Sequence, residues 1–197
     1  MLPVQWIPRS AVRRTHEQHP EAYFYDTSTR APLANDLDYV IAAPEFSPFV
    51  AYGGIPIPGT TDVSDSVEGI WQGLKVIRGK IDPSYFEGKG RKRRGKPWGH
   101  LFGGRVIGYR DARVSIYVPS YEFMVEQRVS GTSVDSIVDK AASTTQFFFD
   151  VDENGDVHDT RRPLSHAAIL VRWLNGEITR RQRLREFPQV DSLQAQE

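Results

Sequence analysis

The sequence predicts an α+β protein, a single compact domain that is mainly helical with several short strands. Apolar residues recur at helical spacing across 66–78, 121–129, 134–142 and 164–175. Short β-branched and aromatic runs at 23–25, 39–42, 114–118 and 146–151 read as strands. These two kinds of segment do not alternate regularly, which argues against an α/β arrangement. At 197 residues the chain is long enough for one sizeable core. We assign that core to 1–180 and expect 181–197, rich in Arg, Gln and Glu without a firm apolar face, to form a frayed tail.

Composition narrows the function. With 39% hydrophobic and 25% charged residues the chain is globular, and its formal net charge of +0 excludes nucleic-acid binding by the charge of the molecule as a whole. Cysteine is absent, so disulfides and thiol nucleophiles are excluded. No apolar run approaches the roughly 18 residues that suggest a membrane span, and the first residues lack a signal pattern. A cytoplasmic protein without a membrane partner is the expectation.

Along the chain, Ser10 is placed to cap a short polar helix carrying His16 and His19, a pair with no third metal ligand nearby. From Ala43 to Thr61, prolines alternate with Phe46, Phe49, Tyr52 and Ile55, which predicts an ordered loop packed on the body. The next helix has Asp65 or Ser66 as N-cap and Gly79 as stop. Val67, Ile70, Trp71, Leu74 and Ile77 form its apolar face, with Glu68, Gln72 and Lys75 on an adjoining stripe. Gly69 and Gly73 weaken that helix by about 1 kcal/mol each, which suggests a neighbour packed close. Lys89 to Lys96 is the densest charge in the chain, and Trp98 to Arg105 joins glycines to Trp98, His100 and Arg105 as potential contacts.

Pro119 ends the strand expected at 114–118, and Ser120 and Ser133 are placed to cap two structural helices. After Gln146 the run 147–149 is continuously apolar, hence buried on both faces, and passes straight into Asp150 and Asp152. Asp150, Asp152, Asn154 and Asp156 open like a calcium loop, but Arg161 stands where a bidentate Glu is required, so a tight acidic turn is the expectation. His166 lies in the first turn of the last helix, which Gly176 is expected to stop.

The loop Phe46-Ser47-Pro48-Phe49, the helix opening Ser66-Val67-Glu68 with Gln72 and Lys75, and the segment Gly99 to Arg105 together resemble the NADAR family. The resemblance covers the middle third of the chain; Pro48 stands in place of that family's Asn and Gly69 in place of its His. The wording of Phe46 to Lys75 and of Pro163 to Ala168 is also similar to a group of bacterial and phage proteins. Membership in NADAR implies a compact protein of this size with N-glycosidase or ADP-ribosyl-hydrolase activity, acting on a small nucleotide-like substrate or on ADP-ribosylated nucleic acid.

The chemistry can be argued from the residues themselves. Cleaving an N-glycosidic bond develops positive charge on the ribose, which a fixed carboxylate stabilises. Glu68 is the candidate, with Asp150 or Asp152 as second carboxylate. Lys75 and Arg105 suit phosphates, Phe46, Phe49 and Trp98 offer a flat wall for a base, and Ser47, Gln72 and His100 complete the candidate binding set. Neither metal nor cofactor is required. Two other readings stay open: a nucleotide- or nucleic-acid-binding module without catalysis, built on Lys89 to Lys96, and a protein-interaction or inhibitor domain built on the Phe46 to Ile57 loop.

Overall fold

The computed structural model describes residues 3–29 and 32–186. The elements begin with β1 (Val4–Trp6), α1 (Val12–Gln18), β2 (Tyr23–Asp26) and β3 (Val40–Ala42), then the short β4 (Ile55–Pro56) and β5 (Val63–Ser64). Next come α2 (Val67–Gly73), β6 (Lys75–Val76), β7 (Gly99–Phe102) and β8 (Arg105–Ile107). The chain closes with α3 (Tyr109–Ala112), a π-helical turn (Arg113–Tyr117), α4 (Val118–Gln127), α5 (Gly131–Lys140), β9 (Gln146–Phe149) and α6 (His166–Glu186).

The central sheet has the order β1-β9-β2-β3, with every pairing parallel. Gln146 of β9 sits opposite Val4 on one side and Tyr23 on the other. Side chains alternate across a strand, so Phe147 and Phe149 face Phe24, Val40 and Val12, while Phe148 faces Val4, Tyr25 and the larger cluster under α6. Phe24 stacks on Phe147 at 5.1 Å and Tyr25 on Phe148 at 4.7 Å. Burying each β9 phenylalanine contributes roughly 1.5–3 kcal/mol, which makes this strand the spine of the single α+β domain. Because the strands run parallel, their carboxyl ends lie together, and the turns after Asp26, Ala42 and Phe149 open on one edge of the body.

Helix α2 forms where the apolar spacing places it, capped by Ser66 Oγ accepting from Gly69 N at 3.1 Å. The glycine expectation holds. A methyl on Gly73 would stand 2.2 Å from Phe86 Cε1, and one on Gly69 would stand 2.5 Å from the Tyr85 carbonyl oxygen. The segment Pro83–Tyr85, with Phe86, therefore lies directly on the helix.

Several boundaries differ from expectation. Helix α2 stops at Gly73, not near Gly79, because Lys75 and Val76 leave it to pair with His100 and Gly99 as β6. The strand expected at 114–118 is absent: its β-branched run continues a helix from Tyr109 to Gln127 through the π-turn. Pro119 offers no N–H and crowds the preceding turn of an α-helix, a conflict that a locally wider turn relieves. Helix α5 starts after Ser130, ahead of the Ser133 cap. Helix α6 passes through Gly176 to Glu186, since Ile178 is still buried and Glu177 holds Arg180 and Arg181 while Arg181 reaches Asp135. The expected tail boundary at 181 thus falls inside a helix, and 187–197 lie outside the described residues. His16 stacks on Tyr39 at 3.6 Å, and the described residues hold no cluster of metal-ligating side chains. No helix among them is long and apolar enough to cross a membrane.

Candidate functional site

Glu68 occupies the first turn of α2 and is 2% exposed, although a carboxylate at that position ordinarily faces water. The proline-rich loop holds it inward: Glu68 N donates to the Pro48 carbonyl at 2.9 Å, and Gly90 N donates to the Phe49 carbonyl at 3.0 Å. Gly90 is obligatory there, because a methyl would lie 2.6 Å from Glu68 Cβ. The basic loop is thereby laid against the helix. Lys92 Nζ reaches Glu68 Oε1 at 3.0 Å, and Gln72 Nε2, one helical turn on, donates to the same oxygen at 2.6 Å. Both contacts fall on Oε1.

Around this carboxylate is a cavity of about 240 Å³. Glu68, Gln72, Lys75, Lys92, Arg113 and Asp152 supply its polar lining, and Trp71, Tyr109, Tyr117, Pro163 and Leu164 the rest. Lys75 is on β6, not on the helical stripe, yet its Nζ still meets Gln72 Oε1 at 2.7 Å. Burial pushes the Lys75 pKa down; Glu68 opposes this, while Lys92 and Arg93 reinforce it. Asp152 moves the other way. Burial and then the charge of Asp150 raise its pKa, Glu68 adding to the rise and Lys92 and His166 working against it. Tyr117 is held well above an ordinary phenol by burial and then by Glu68.

Arg113 is 1% exposed and among the described residues has no carboxylate partner. Its guanidinium donates to the carbonyls of Val157, Asp159 and Arg162, and lies 4.7 Å from the Tyr109 ring centroid. It therefore pins the 157–162 loop that leads to Pro163 and Leu164 while adding a fixed cation to the cavity. Arg113 and Tyr117 come from the two ends of the π-turn, a distortion frequent at functional sites.

The other candidates separate. Asp150 lies behind the cavity, 0% exposed, and its Oδ2 accepts from Ser165 Oγ and Ala167 N at 2.9 Å each and pairs with His166 Nδ1 at 2.9 Å. It is a buried cap for α6, with no face toward a substrate. Phe46 is core, its carbonyl accepting from Tyr121 Oη at 2.7 Å, and Ser47 is buried with its Oγ turned to the Phe49 amide and Thr29. Phe49 does not line the cavity; the Lys92 ammonium lies 5.2 Å from its ring centroid. His100 is buried and stacks on Trp71 at 3.9 Å. Burial, with help from Lys75, pushes its pKa down to about 3 against a weak pull from the Trp71 backbone, so it props the indole as a neutral ring. Trp98 and Arg105 are exposed and line no part of the cavity.

The site thus keeps Glu68, Gln72, Lys75 and Asp152 and adds Lys92, Arg113, Tyr117, Tyr109 and Trp71. Lys92 was visible only as one of a run of cations. Arg113 and Tyr117 were hidden by the strand-like composition around them. No curated protein and no solved structure matches the chain. A family of unknown function, DUF6939, matches residues 8–170, a span that contains every residue lining the cavity. The chain belongs to that family.

Proposed function

We propose that the cavity is the active site of a hydrolase that cleaves the N-glycosidic bond of a nucleotide or ribosyl phosphate. The observation that carries this reading is two carboxylates on one cavity in unlike electrostatic settings, beside an aromatic wall and fixed cations. Glu68 is held by a lysine and an amide, whereas burial and neighbouring negative charge keep the proton on Asp152 to higher pH. Pairs of acids whose surroundings differ in this way divide acid from base work.

In the proposed reaction Asp152 protonates the departing base as the bond from C1′ to nitrogen breaks and its electron pair leaves with the base. Glu68 Oε2 stabilises the positive charge that develops on the ribose and takes a proton from the water that attacks C1′. Lys75, Lys92 and Arg113 hold the phosphate, and Trp71 with Tyr117 and Tyr109 offers ring faces to the base. Ligand sites usually exceed ~300 Å³, so this smaller cavity favours a nucleoside monophosphate or ribosyl phosphate over the bulkier ADP-ribosyl group. The NADAR resemblance points to the same bond type.

The test is mass-spectrometric detection of free base after incubation with nucleoside monophosphates, ribosylated pyrimidine phosphates, NAD, ADP-ribose and ADP-ribosylated nucleic acid. Release by the wild type and none by Glu68→Gln is the expected result. Asp152→Asn is expected to lose roughly 10²–10⁴-fold in rate. It should also lose the decline in rate that the wild type shows as pH rises through the raised Asp152 pKa, since the acid must be protonated to act. Silence across the panel overturns the proposal; binding of a nucleotide without release assigns the cavity to a binding module.

A further inference from the structure

Opposite charges are unevenly spread along this neutral chain. Between Lys75 and Trp98 stand nine cations and two acids, so the remainder of the chain carries the compensating negative excess. Lys75, Lys92 and Arg93 turn inward, toward the cavity or the backbone around it. Arg78, Lys80, Arg94 and Lys96 are exposed, and none has an ion pair among the described residues.

Three of those four, Arg78, Lys80 and Arg94, join Arg93 in lining a shallow cleft of about 580 Å³ whose one acid is Asp82. Asp82 is occupied with the amide and hydroxyl of Ser84. The cleft is built on a tight turn, Arg78 and Gly79 both having positive φ (51° and 77°), closed by the Ile77 and Lys80 pairing. Trp98 stands beside that turn: its amide is tied to the Val76 carbonyl at 2.9 Å, and a methyl on Gly79 would lie 3.9 Å from its ring. The indole is nevertheless 72% exposed. An aromatic side chain able to bury about 150–250 Å² is instead held in water by an ordered backbone and flanked by unpaired cations.

We propose that this surface, separate from the cavity, binds single-stranded nucleic acid. Cations spaced along a cleft neutralise successive phosphates, and an exposed indole gives an unpaired base a face on which to stack. A duplex hides that face, and between Lys75 and Trp98 the one helix described is the three-residue 3-10 turn Pro83–Tyr85, too short to fill a groove. Arg93 joins the two sites physically. Its guanidinium donates to the Lys75 carbonyl at 2.7 Å and the Lys80 carbonyl at 3.2 Å, and its amide donates to Gln72 Oε1 at 3.1 Å.

Fluorescence anisotropy of a labelled mixed-sequence oligonucleotide of about 15 nucleotides, in ~50 mM salt, tests this. Binding is expected to weaken with salt at a log–log slope of about −3, as four neutralised phosphates require. Trp98→Ala should weaken it about tenfold, and the double variant R94E/K96E should lower both affinity and the salt slope. Glu68→Gln is expected to bind as the wild type does, which separates this proposal from the hydrolase reading. All these positions except Glu68 are exposed, and thermal melting verifies that each variant folds. Absence of a complex, binding indifferent to Trp98, a preference for duplex, or capture by phosphatidylserine vesicles in place of the oligonucleotide overturns the proposal.

Discussion

Replacing Asp150 with Asn tests whether that carboxylate is a structural cap. The side chain is 0% exposed, and its charge is opposed by His166 at 2.9 Å. Oδ1 accepts from the Asp152 amide at 2.6 Å, and Oδ2 accepts from Ser165 Oγ and the Ala167 amide. His166 Nε2 contacts Thr27 Oγ1 at 2.9 Å, so the network ties β2, β9 and α6 together at the carboxyl edge of the sheet. Removing one partner of a buried pair costs about 3–5 kcal/mol, since the other charge is left uncompensated. For a domain of this size that is a fall of about 6–20 °C in Tm.

The loss should also depend on pH. Burial works against charge on His166, but Asp150 outweighs it and raises the histidine pKa above 6.5. That contribution is complete below pH 6.5 and is lost as pH rises through the folded value. Burial likewise disfavours the Asp150 carboxylate, yet His166 and the hydrogen bonds leave its pKa below 3.8. Its contribution is present above pH 3.8 and disappears as pH falls through the folded value. Urea unfolding should therefore show the widest gap between wild type and Asp150→Asn from about pH 4 to 6.5, narrowing as pH rises through the folded His166 value. A variant within ~2 °C of wild type at about pH 5.5, or a gap independent of pH, refutes the reasoning.

Gly73→Ala gains about 1 kcal/mol of helix propensity but drives a methyl into Phe86, an overlap that costs about 1–3 kcal/mol; thermal melting should show a lower Tm. Arg113→Met removes three bonds to the carbonyls of Val157, Asp159 and Arg162, and hydrogen exchange should accelerate across 157–162 while β9 stays protected.

The apolar spacing of α2 and the unbroken aromatic run of β9 declared themselves in the sequence because each is a local pattern answering to one buried face. Glu68 and Gln72 were legible for the same reason, being one helical turn apart. Lys92 meets Glu68 from a loop whose route is set by Gly90, and no periodicity reports a loop's route. Val114, Ile116 and Val118 have strand composition, but packing on the core and the π-turn overrode it, and Arg113 and Tyr117 were concealed with them. Asp150 and Asp152 looked equivalent. The start of α6 claims the first as a cap, and the bend at Val151 leaves the second at the cavity.

The Gln72 side chain has a consequence for how the site stays aligned. Its oxygen is engaged twice, by Lys75 Nζ and by the backbone amide of Arg93, so only its nitrogen end remains to meet Glu68. The amide is a latch with one allowed sense. Lifting residue 93 from its seat would leave Lys75 alone to hold that oxygen, so the pose of Glu68 depends in part on a peptide bond that never touches it.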